Sequence, residues 1–208
     1  MRGANAVRDR LALLLAEEAP RKLPLLREKW RLDDIALPEP KRYYSGDAPE
    51  ELVNDTSIIV VNPRLLKRTR TGDISPLGEP EYHSRFSCRV YVWAKGPDWD
   101  RATEARDNLA ACMSLCLLQY PNLNNRIDPE ALTTDTGYRV EEDTYQEDFG
   151  VPVRLQGSRA FAAAILSVDV TVEEYIDDGS TIPPYGTVQQ LAAASFAVGP
   201  LVPFPGED

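Results

Sequence analysis

From Ala160 to Val172 every even-numbered residue is apolar: Ala160, Ala162, Ala164, Leu166, Val168, Val170 and Val172. The odd positions change along the run, from Phe161, Ala163 and Ile165 to Ser167, Asp169, Thr171 and Glu173. A period of two predicts a β-strand with one face on a core. Ordinary strands run roughly 5–6 residues, whereas this one reaches roughly 40 Å at about 3.3 Å per residue. Such a strand outgrows a small sheet, so its ends are expected to meet something beyond it. Its first half, apolar on both faces, is expected to be buried on both sides.

A second alternation runs through Ser84–Lys95, with Phe86, Cys88, Val90, Val92 and Ala94 against Arg85, Ser87, Arg89, Tyr91 and Trp93. Ser57–Val61 is a short β-branched run ahead of Asn62-Pro63 and predicts a buried strand. Gly137–Gln146 predicts a polar strand, with a turn near Gly150 and Pro152. Helical spacing appears over 4–18, where Ala4, Val7, Leu11, Leu14, Leu15 and Glu18 share a stripe. Pro20 is expected to end that helix, because an interior proline loses a hydrogen bond and clashes with the preceding turn. Residues 21–37 read as a short second helix interrupted at Pro24. The proline-containing stretches 38–50 and 64–80 read as loops. Asp98 opens the strongest helix, with a stripe of Ala102, the Arg106 stem, Leu109, Met113, Cys116, Leu117 and Tyr120, and Pro121 stops it. The expected fold is α+β: a largely antiparallel sheet with two main helices packed on it, in the order α-β-β-α-β-β, plus an extended C-terminal arm.

The chain divides at about residue 176, into a folded domain over 1–176 and an extension over 177–208. From Gly179 to Gly206 no residue is charged, and five prolines and four glycines punctuate the segment. A free tail is normally polar and charged. The apolar Leu191, Phe196 and Phe204 therefore suit a segment that packs on its own domain or docks on a neighbouring subunit, with plain disorder as the third reading. A net charge of −10 argues against a general nucleic-acid binder, which needs a basic footprint. Three cysteines form no disulfide framework and fit a reducing compartment. No signal peptide opens the chain, and no apolar run is long enough to span a bilayer, so a soluble protein made in the cytoplasm is expected.

Catalytic chemistry is sparse. His83 is the only histidine and no nucleophile elbow accompanies it, so no catalytic residue is expected. Cys88, Cys112 and Cys116 with His83 would make a Cys₃His donor set, but the spacing is wrong for a zinc knuckle, and buried free cysteines are the expected state. Neither a metal nor a cofactor is expected. Two charge groups stand out. Glu141, Glu142, Asp143, Glu147 and Asp148 crowd one segment: a solvated face, a same-sign wall beside passing DNA, or the ligands of a metal-dependent hydrolase. Arg64, Lys67, Arg68 and Arg70 form a basic group in an acidic chain, either solvated or facing the acidic segment of a neighbouring copy.

The strand R-F-S-C-R-V-Y-V-W-A (85–94), the helix A-x-x-A-R-D-N-L-A (102–110) and the strand A-I-L-S-V-D-V-T-V-E (164–173), in that order, resemble tail terminator proteins of long-tailed bacteriophages. The resemblance covers roughly residues 4–175. The 21–56 stretch and the uncharged arm exceed the compact members. The resemblance implies a homo-oligomeric ring, commonly of six copies, at the head–tail junction of the virion. Such a ring caps the last tail-tube ring, ends polymerisation and offers a surface to the head-side connector or stopper protein. DNA passes through it without specific binding, and no membrane is involved. Other connector, head-completion and tail-tube proteins are the neighbouring readings.

Overall fold

The computed structural model describes residues 3–46, 55–74, 80–123, 137–150, 154–156 and 159–175, all within one unit, Met1–Ile176. The arm over 177–208, with Leu191, Phe196 and Phe204, lies outside the described residues. Two helices, α1 (Ala4–Trp30) and α2 (Trp99–Gln119), lie on one face of a sheet of seven strands. These are β1 (Arg42–Ser45), β2 (Ser57–Val60), β3 (Arg64–Ile74), β4 (Pro80–Gly96), β5 (Tyr138–Asp148), β6 (Arg154–Gln156) and β7 (Arg159–Tyr175). The fold is α+β, and all pairings but the parallel β1–β2 are antiparallel.

β4 and β7 make the spine. Their register runs without a shift from Glu81 opposite Tyr175 to Gly96 opposite Ala160. β2 and β3 share the other edge of β4, and β5 and β6 share the other edge of β7. Register shifts interrupt only these flanking pairings, between Leu65 and Lys67, Arg70 and Ile74, and Glu141 and Gln146.

The helix-side core follows the alternation of both spine strands. Phe86, Cys88, Val90 and Val92 of β4 and Leu166, Val168, Val170 and Val172 of β7 pack with Leu11, Leu14 and Leu15 of α1 and Leu109, Met113 and Leu117 of α2. On the opposite face Ile59, Trp93, Phe161 and Ala163 form a smaller buried cluster. The doubly apolar start of β7 is thus buried on both sides, as its sequence predicts. At the end of the sheet Ala102, Ala160 and Ala162 form a third cluster, where only small residues separate α2 from the strands.

Asp98 caps α2, its side chain accepting a hydrogen bond from the Arg101 backbone N–H at 2.9 Å. Asp98→Ala should cost about 1 kcal/mol, read from urea denaturation, and an unchanged midpoint would deny the cap that role. Arg106 is largely buried, with its side chain 11% exposed and its guanidinium 5.2 Å from the Phe149 ring.

Several expectations are corrected. α1 does not end at Pro20 but continues through Pro20 and Pro24 to Trp30. Both prolines are on the exposed side, where water can satisfy the carbonyls they leave unbonded, while Ala19, Leu23 and Leu26 carry the buried stripe onward. Packing of one continuous face outweighs the local penalty. Two stretches expected to be loop contain strands. β1 lies inside the proline-rich 38–50 region, and β3 occupies Arg64–Ile74.

Candidate functional site

Among the described strands β1, β3, β5 and β6 each pair with one other strand only, so they form the borders of the sheet. Beyond the level of β2 the order is β3–β4–β7–β5, so β3 and β5 are opposite borders. Three strand spacings of about 4.8 Å separate them. β3, RLLKRTRTGDI, carries four basic residues and one acidic. β5, YRVEEDTYQED, carries five acidic residues and one basic. Charged side chains keep a bare strand from pairing at random, yet here each border holds mainly one sign.

The basic group divides between the faces. Arg64 is opposite Ser87 and Lys67 opposite Arg85, on the side away from the helices, and both are exposed. Arg68 is opposite Ser84, on the helix side. Its guanidinium meets the Glu174 carboxylate at 2.8 Å, and its Nε donates to Ser84 Oγ, also at 2.8 Å. Ser84 Oγ in turn donates to Glu174 Oε1 at 2.5 Å. Glu174 is only 1% exposed in its side chain, so the arginine compensates a buried charge within its own chain. Arg68 thereby leaves the set of free interface residues, while Arg70 beside it is exposed.

The acidic group also divides. Glu141 is opposite Asp169 on the face away from the helices. Glu142 and Asp143 are exposed within the irregular stretch between Glu141 and Gln146. Thr144 holds that stretch to the spine: its hydroxyl donates to the Glu141 carbonyl at 2.7 Å and accepts from the Asp169 N–H at 2.8 Å. Strand alternation is therefore broken between Glu141 and Gln146. Glu147 reaches the helix side, where Ser114 Oγ and Tyr145 Oη each donate to its carboxylate at 2.7 Å. Burial, with help from Glu147, pushes the Tyr145 phenol pKa up, which keeps it a donor. Asp148 is opposite Ile165, away from the helices, and accepts from the Gly150 N–H at 2.8 Å. The five carboxylates thus form a border and do not converge on one point.

The cysteines are all free and buried, with Cys88 on β4 and Cys112 and Cys116 on α2. Burial pushes the Cys88 thiol pKa up. The hydrogen bond shared with Cys112, together with burial, does the same for Cys116. Cys88 and Cys116 are thereby poor ligands and poor nucleophiles, whereas the same hydrogen bond lowers the Cys112 thiol pKa. His83 lies on β4 between Thr69 and Glu173, with Glu81 two residues before it on the same face. Sequence spacing could not reveal that neighbourhood, because Glu173 comes from the last strand. No helix among the described residues is long and apolar enough to cross a membrane. The chain matches no protein-family model and no curated protein.

Proposed function

We propose that this protein is a structural part of a bacteriophage virion, assembling into a ring that caps the tail tube at the head–tail junction. The observation that supports this reading best is the opposite charge of two sheet borders that no further described strand pairs with, β3 basic and β5 acidic. A surface complementary to a different surface on the same chain makes head-to-tail contacts, and such contacts close into rings when the rotation permits. Opposite signs on the two borders favour that contact and penalise like-with-like pairing. The resemblance in strand and helix order supplies the rest of the proposal. Six copies form the ring. One rim stops tube polymerisation, the other meets the head-side connector or stopper protein, and DNA passes through without specific binding. The protein has no catalytic role in this reading. It is assembled in the host cytoplasm and ends in the virion.

Charge reversal tests the contact. Glu141, Glu142 and Asp143 replaced together by Lys should abolish ring particles seen by electron microscopy while circular dichroism stays unchanged. Arg64, Lys67 and Arg70 replaced together by Glu should do the same, and the chain carrying both sets should assemble again, since complementarity returns with its signs exchanged. Rings indifferent to every reversal would remove the border contact. Location is tested separately, by a tag on this chain that should mark the head–tail junction of intact particles. Long tubes on concentration would instead make it a tube protein.

A further inference from the structure

We propose that Glu81, His83 and Glu173 form a binding site for a divalent first-row transition ion, with zinc as its simplest occupant. Glu81 and His83 are two residues apart on β4, so the pleat sends both side chains to the face away from the helices. Glu173 is directly opposite His83 in the register of the spine, and one donor atom from each residue lies within 4.8 Å of the others. The separations are informative. His83 Nε2 stands 3.8 Å from Glu81 Oε1 and 3.6 Å from Glu173 Oε1. Both exceed the 2.7–3.2 Å or so of an N–H···O hydrogen bond. Donors held about 2.1 Å from a tetrahedral ion stand about 3.4 Å apart, close to the spacing seen here.

The surroundings favour the same occupant. The nearest arginine on this face of β4, Arg85, is committed to Asp169 at 2.8 Å. Two carboxylates and an imidazole supply two negative charges and a nitrogen donor, a combination suited to zinc, nickel or cobalt. Calcium and magnesium ask instead for all-oxygen shells of six or more ligands. The thiols that would compete for zinc are on the buried side of the sheet or on α2. All three donors are on the two spine strands, whose pairing has no register shift, so little backbone rearrangement is needed to present them. Glu81 is 14% exposed in its side chain, while His83 at 44% and Glu173 at 49% leave one side open to water or to a donor from another molecule. Three protein ligands with an open position are the usual set of an accessible zinc site.

The test is calorimetric titration of the full-length chain, stripped of ions and carrying no histidine tag, with zinc chloride and then nickel chloride. One ion per chain is expected, with a rise in melting temperature on loading. His83→Ala and Glu173→Gln should each weaken binding at least as much as loss of an outer-shell partner does, about 10–100-fold, and should abolish the thermal shift. Both positions are exposed, so circular dichroism should show the variants folded. Absence of binding, or binding that survives both substitutions, would overturn the site. Neither result bears on ring formation, which the charge reversals read independently.

Discussion

Gly96→Ala is expected to destabilise the protein by about 3 kcal/mol, at the upper end of what overpacking usually costs. A methyl group built at Gly96 would be 2.5 Å from the Ala102 amide nitrogen, 2.8 Å from its Cα and 3.0 Å from its Cβ. Two of those atoms are backbone in the first turn of α2, so no rotamer change relieves the clash. The Ala102 N–H also donates to the Asp98 carbonyl at 3.0 Å, and Asp98 caps the helix, so moving Ala102 disturbs the helix start as well. Urea denaturation of both proteins measures the difference. A loss below about 0.5 kcal/mol, the usual size for an unremarkable surface change, would mean that α2 is not seated on the sheet at this point.

The second large effect belongs to Arg68→Ala. It leaves the Glu174 carboxylate, 1% exposed, without its guanidinium partner. Breaking a buried pair from one side typically costs about 3–5 kcal/mol, and the partial exposure of Arg68, 27%, places the expectation near the lower figure. Glu174→Gln should cost less, because it removes the charge that needs compensation. Arg64→Ala, on the same strand but exposed, should stay within about 0.5 kcal/mol. If the Arg68 and Arg64 variants prove equally stable, the buried pair contributes nothing and Arg68 returns to the border set.

These contrasts show which parts of the molecule were legible from residues alone. The spine strands were, because Phe86–Ala94 and Ala160–Val172 each alternate over a face that the helices cover. So was α2, whose cap and stripe agree with one another. β3 was not. As a border strand reaching beyond the helices it needs charge more than an apolar face, and a run such as Arg-Thr-Arg-Thr carries no period that betrays burial. α1 was cut short because proline penalties are local while the stripe that overrides them is tertiary. The border charges were legible as groups, but their division between faces was not. It depends on the register shifts near Leu65 and Glu141, which no single-strand pattern encodes. The histidine site depends on a cross-strand pair far apart in sequence.

The unbroken pairing of β4 with β7 also sets the order in which the chain can fold. β4 meets its neighbours β2 and β3 locally, and β7 meets β5 and β6 locally, so two hairpins can form early and separately. Joining them requires closing everything between Gly96 and Ala160, including α2, and contacts of such long sequence separation are slow to form. During synthesis the edge of β4 that will pair with β7, a row of unpaired backbone N–H and C=O groups, waits for a partner that leaves the ribosome only after β5 and β6. The rate-limiting event should then be the zipping of two preformed hairpins. Until it happens, the exposed edge of β4 is the place where the newly made chain is most vulnerable to aggregation.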